Sequence, residues 1–140
     1  MDKLDSVEQL ERAAMARLDS GDFAGALRDF RALLVRDSSN AIALQFLGFE
    51  ASQRQDHAAS IDFYQRAASA HPGSETCFNL ALALFGQARF AESLAALDIA
   101  IEHDAGFLAA LLYRGTVLEQ MGKTDDAARA FLRAVRVAGS

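Results

Sequence analysis

The side chains of this sequence that could do chemistry are three histidines, one cysteine, nine glycines and a scatter of carboxylates. His57 and His71 fall at opposite ends of one predicted helix, about 20 Å apart at 1.5 Å per residue, so they cannot share a metal ion. His71 and His103 end equivalent helices of neighbouring units and can come closer, yet no third ligand accompanies them, and a zinc-type site takes three or four. They read as solvated turn histidines. Cys77 is alone, so no intrachain disulfide can form and a reducing compartment is compatible. Gly21, Gly25, Gly86 and Gly122 match no phosphate-cradling loop. Asp2, Asp5, Asp125 and Asp126 stand at or just before predicted helix starts, where a carboxylate meets the positive end of the helix dipole. The expectation is a chain with no catalytic residue, no metal and no cofactor.

The elements that must position these residues are helical. The sequence has 140 residues, one proline and no tryptophan, and it is rich in Ala and Leu. Ala and Leu lose little side-chain freedom in a helix, and a chain of this length can bury a core without metal or disulfide help. An all-α fold follows. A net charge of -5 without a basic stripe speaks against nucleic acid as a partner, because phosphate binding requires Lys and Arg. The start, Met1 to Ser6, is acidic and lacks the apolar core of a signal peptide. The longest uncharged stretch, Thr76 to Ala88, falls short of the roughly 20 apolar residues that span a bilayer. A cytoplasmic protein with no membrane partner is expected.

An internal repeat organises the chain. Small residues recur at Ala14, Gly48, Ala81 and Gly115, in steps of 34, 33 and 34. Ala26, Ser60, Ser93 and Ala127 follow the same steps, as do Phe30, Tyr64, Leu97 and Phe131, and Leu33, Ala67, Ala100 and Ala134. Within each unit a small residue lies on a first helix; after a turn, a small, a large and usually a small residue share one face of a second helix at i, i+4 and i+7. Small residues let two backbones approach, and the large one fills the remaining space. Each unit is therefore a helical hairpin. Gly21-Asp22, Gln55-Asp56, Ala88-Arg89 and Gly122-Lys123 mark the turns within hairpins, and two of the four offer glycine for a left-handed helix end. Asp37 to Asn40, His71 to Ser74 and Asp104 to Gly106 separate the hairpins. Eight helices are predicted, over residues 6–19, 22–36, 40–54, 56–70, 74–87, 90–103, 107–121 and 124–137.

This register resembles the tetratricopeptide repeat family, whose pattern runs W-x2-L-G-x2-Y, then A-x3-F, A and P. Leu44, Leu47, Gly48, Ser60, Tyr64, Ala67 and Pro72 occupy its positions in the second repeat, Leu80, Ala81, Leu84, Ser93, Leu97 and Ala100 in the third, and Leu111, Gly115, Leu118, Ala127, Phe131 and Ala134 in the fourth. The first keeps Leu10, Ala14, Ala26 and Phe30. Departures are Arg17 and Ala51 at the aromatic position and Arg114 for the usual Leu. Cys77 stands where the family places a packing aromatic, which implies a buried, inert thiol. The resemblance implies a right-handed superhelical solenoid of four helix-turn-helix repeats, about 7–40, 41–73, 74–107 and 108–140, after a short extension at 1–6. It also implies a concave groove, lined by the first helices, that holds a partner segment.

By the 3.6-residue period, the groove side of the central repeats is aromatic and aliphatic. Phe46, Phe49, Phe78, Leu82, Phe85, Leu112 and Tyr113 form the predicted apolar floor, and the alternative for the phenylalanines is packing between adjacent repeats. In peptide-binding members of the family an Asn at the position of Asn79 holds the ligand backbone, so Asn79 joins the candidates, against the alternative of a plain helix-surface residue. A clamp for a carboxy-terminal carboxylate needs Lys, Asn and Arg, whereas Glu11, Met15, Phe46, Glu75 and Asn79 stand at its places. The acidic pair would repel such a ligand. The expected partner is a protein or peptide with apolar side chains.

On the last predicted helix Ala128, Leu132 and Val135 lie on an uncovered face beside Arg129, Arg133 and Arg136. Such a face calls for a homodimer through the final repeat, or for a following segment of a larger protein. A non-catalytic interaction scaffold is the leading reading. The alternatives are the amino-terminal module of a hydroxylase- or sulfotransferase-type enzyme, with Leu112 to Gly115 echoing such proteins, and a secretion-chaperone-like protein.

Overall fold

The computed structural model describes residues 3–140, with side chains from residue 6 onward. Met1 and Asp2 lie outside the described residues, as do the side chains of Lys3, Leu4 and Asp5, so the expected placement of the Asp2 and Asp5 carboxylates at the positive end of the helix dipole is outside them too. The fold is all-α: α1 (Lys3–Asp19), α2 (Phe23–Arg36), α3 (Ala41–Gln53), α4 (His57–Ala70), α5 (Ser74–Gly86), α6 (Phe90–His103), α7 (Leu108–Gln120) and α8 (Thr124–Ala138). No strand occurs among the described residues. Every predicted helix is present. Their ends agree to within one residue except at α1, which starts three residues early.

The chain divides into two compact units, residues 1–70 and 71–140. In the first, α1 pairs with α2 and α3 with α4, and α2 packs on α3; in the second, α5 pairs with α6 and α7 with α8, and α6 packs on α7. Ala14, Ala26, Phe30, Leu33, Ala43 and Leu47 form the buried centre of the first unit. In the second, Leu118, Ala127 and Ala130 are buried together, with Leu94 and Phe131 against them.

The small residues of the repeat are where the hairpin helices meet. A Cβ added at Gly48 would lie 2.9 Å from the ring of Tyr64, and one at Gly115 would lie 2.6 Å from that of Phe131. Hydroxyl groups reinforce the same junction in two repeats: Ser60 Oγ donates to the Gly48 carbonyl at 2.9 Å, and Ser93 Oγ to the Ala81 carbonyl at 2.8 Å, both buried. Each such bond satisfies a polar atom that would otherwise be costly to bury.

All four intra-hairpin turns have the same geometry. The second residue after each first helix is left-handed, with φ of 86° at Gly21, 61° at Gln55, 58° at Ala88 and 76° at Gly122. The next backbone N–H then reaches back five residues: Asp22 to Arg17, Asp56 to Ala51, Arg89 to Leu84 and Lys123 to Leu118, at 2.8–3.0 Å. This is the Schellman closure of a helix end. Glycine adopts it freely at two sites, whereas Gln55 and Ala88 do so at a steric cost that the fixed hairpin imposes.

Arg17 and Arg114, the two charged departures from the repeat pattern, are both engaged. Arg17 links its hairpin by ion pairs to Asp22 at 3.0 Å and Asp29 at 2.9 Å. Arg114 of α7 pairs with Asp98 of α6 at 2.7 Å.

Two substitutions test these constraints by urea denaturation. Ala88→Gly relieves the left-handed strain and should stabilise by about 0.5–1 kcal/mol, the strain relief exceeding the added unfolded-state freedom. Gly115→Ala drives a methyl into Phe131; overpacking outweighs the gain in helix propensity, and a net loss of about 1–2 kcal/mol is expected. Gly86→Ala, with nothing within 4 Å of its Cβ, is the control without overpacking and should be unchanged or slightly stabilised by helix propensity.

Candidate functional site

The start of α2 builds one wall of an apolar cleft in the first unit. Asp22 caps this helix, its carboxylate accepting from the Gly25 N–H at 2.9 Å and from Arg17 at 3.0 Å. The cap fixes Phe23 as the first helical residue, and its side chain stands out 64% exposed. Phe23, Ala24 and Leu27 of α2 together with Phe46, Phe49, Glu50 and Gln53 of α3 enclose about 430 Å³. Phe46 is anchored from below by Phe30, ring centroids 4.5 Å apart. Phe49 is 54% exposed at the mouth. Glu50 is engaged by Arg54 at 2.7 Å, so the one carboxylate at the cleft already has a counter-ion.

In the second unit the aromatic residues touch one another. Tyr113 receives Phe78 and Phe85 edge-on, with centroids 5.7 and 5.9 Å away. Phe78 also meets Phe107 at 4.9 Å, and Phe85 meets Phe90 at 5.7 Å. Contacts of this geometry hold rings in place as well as burying area. Phe78, Asn79, Leu82 and Phe85 are half-buried, while Leu112 and Tyr113 are exposed.

Of the predicted floor, then, Phe46 and Phe49 share the cleft of the first unit, and Phe78, Phe85 and Tyr113 share an aromatic cluster in the second. Phe46, Phe78 and Phe85 each pack against a ring within their own unit and keep part of their surface open. Phe23 and Leu27 escaped the sequence reading because that reading confined the site to first helices. A signal was present: Phe23 and Phe90 hold the same repeat position, immediately after the intra-hairpin turn.

A second, shallower depression of about 390 Å³ runs along α1, lined by Glu8, Glu11, Arg12, Met15, Ala16 and Asp19. Among the described residues no three His, Cys, Asp or Glu side chains are placed to hold a metal ion. Cys77 is buried. Among the described residues no helix is long and apolar enough to cross a membrane.

The family model described as tetratricopeptide repeat matches residues 11–75 and 78–140. No curated protein sequence matches the chain. Among solved structures, a crystal structure of MamA protein superposes with a TM-score of 0.85 at 21% identity, covering 96% of this chain and 74% of that one. A second MamA crystal structure gives 0.79 at 23%, covering 89% and 73%. MamA from Desulfovibrio magneticus RS-1, residue 41 to the end, gives 0.80 at 17%, covering 94% and 75%. At these identities the likeness is one of fold.

The cap that sets Phe23 is pH-dependent. The Gly25 N–H and then the Arg17 guanidinium hold the Asp22 carboxyl below its ordinary value of 3.8. A carboxylate whose folded value is depressed stabilises at pH above its unfolded value, and that contribution is lost as pH falls through the folded one. Asp22→Ala should therefore lower the melting temperature at pH 7, and the difference from wild type should shrink steadily below about pH 4. Thermal melts by circular dichroism across pH 2–7 measure it.

Proposed function

Because the chain belongs to the tetratricopeptide repeat family, we propose that it is a non-catalytic protein–protein interaction scaffold that binds a partner segment through apolar side chains. The observation that carries this reading is the cleft of Phe23, Leu27, Phe46 and Phe49, where large apolar side chains face open space in a chain with a formed core. Exposed aromatic surface of this kind costs free energy in water and is recovered when a partner covers it. Aromatic anchors packed from behind, as Phe46 is by Phe30, lose little freedom on binding. In the second unit, Leu112, Tyr113, Leu82 and the open parts of Phe78 and Phe85 offer apolar surface of the same character, with Asn79 as a polar group able to hold a ligand backbone.

The surroundings select the partner's chemistry. Glu50 is neutralised by Arg54, and Gln53 is uncharged, so the cleft favours Leu-, Met- or Phe-type side chains over charged ones. The reading is tested with the double variant Phe49→Ala with Leu82→Ala. Partners captured by the wild-type chain should be lost or strongly depleted with the variant, and titration of a purified partner should show affinity weakened about 10- to 100-fold, as expected for removing one or two anchors of about 1.4 kcal/mol or more each. Unchanged affinity with a folded double variant overturns the reading.

A further inference from the structure

Helix α8 is buried along Ala127, Ala130 and Ala134 and open on its other side. There Ala128, Leu132 and Val135 recur at i, i+4 and i+7, with Leu132 49% and Val135 66% exposed. Arg129, Arg133 and Arg136 repeat the same spacing on the adjoining strip and are all exposed. Arg129 pairs with Asp126, whereas Arg133 and Arg136 meet no carboxylate among the described residues. In a chain of net charge -5, this is an apolar stripe edged by three arginines.

The complement lies on α1. Met15 and Ala16 are exposed in the shallow depression there, with Glu8, Glu11 and Asp19 around them and Arg12 as the one base. Along their helix axes Arg129 to Arg136 spans about 10.5 Å and Glu8 to Asp19 about 16.5 Å, at 1.5 Å per residue, so the arginine strip fits within the acidic one. We propose that α8 of one copy docks antiparallel along α1 of a second copy. Leu132 and Val135 cover Met15 and Ala16, and the arginine strip lies beside Glu8, Glu11 and Asp19. Pairing α8 antiparallel with α8 would instead bring arginine strips together, which like-charge repulsion opposes.

Donor and acceptor faces differ, so the contact is heterologous. Each docked pair keeps one free α8 face and one free α1 face, and association continues into short chains or a ring instead of stopping at a closed homodimer. A single helix face falls well below the roughly 800 Å² per partner of a standard interface, so the assembly is weak and reversible. Part of the attraction is between exposed charges and weakens with salt.

The experiment is sedimentation velocity at increasing concentration in low and high salt. It uses the wild type, a donor variant (Leu132→Ala, Arg133→Ala, Arg136→Ala) and an acceptor variant (Glu8→Ala, Met15→Ala), with circular dichroism confirming that the exposed-site variants remain folded. The wild type should grow in mass with concentration, and less so in high salt. Each variant alone should weaken association at least about tenfold. An equimolar mixture should restore association but stop at a complex of one copy of each, because the mixture retains one working α8 and one working α1. A wild type that stays monomeric at high concentration, a variant that associates like wild type, or a mixture with no one-to-one complex overturns the proposal. So does a monomeric wild type whose α8 residues instead mediate co-sedimentation with phosphatidylserine vesicles.

Discussion

Two paired helices approach only as closely as the largest side chains facing one another allow, and the rest of this structure depends on how that limit is met in each hairpin. The first helix supplies a residue with no side chain or only a methyl, Ala14, Gly48, Ala81 or Gly115, and the second supplies a ring or Leu. At Gly48 and Gly115 the opposing ring occupies the space that a methyl would need. Dispersion falls off steeply with separation, so contact at this distance yields packing that a bulkier pair would lose. The buried Ser60 and Ser93 hydroxyls exploit the same proximity, since only a close backbone brings the facing carbonyl within reach.

With that junction fixed, the turn between the helices is constrained as well. Both helices must end and begin at set points, and the left-handed closure that joins them recurs even where the residue is Gln55 or Ala88. Tertiary packing thus overrides the local preference of two residues. The same logic accommodates Arg17 and Arg114, whose ion pairs hold elements that the usual aromatic or Leu would hold by burial. These pairs, exposed at Arg17 and half-exposed at Arg114, contribute little energy individually. Their value lies in giving bulky charged side chains a place outside the core.

The apolar surface grows out of this frame. A hairpin satisfied by its small–large junction leaves the other apolar residues of its helices to neighbours or to solvent. Phe46 shows the division within one side chain: one part of the ring rests on Phe30, and another lines the cleft. Tyr113 does likewise, holding Phe78 and Phe85 while remaining exposed. Rings braced from behind present a rigid surface, which is the property a recognition site requires.

Periodicity alone determined the helices, their pairing into four hairpins and the residues at each hairpin junction, because a 34-residue repeat with small and large residues at fixed offsets brings those positions face to face. Apart from the start of α1, the helix ends were legible to a residue because the turn positions recur in register. How far each apolar residue is exposed was decided by the tertiary structure. Phe46, Phe49, Phe78 and Phe85 are alike in type and helical setting, yet one is open and three are half-buried, depending on which ring a neighbouring helix happens to bring near. Phe23 and Leu27 became part of the cleft only when α2 packed on α3. A side chain's position along its own helix fixes the direction in which it points, but the space it points into belongs to residues far away in sequence.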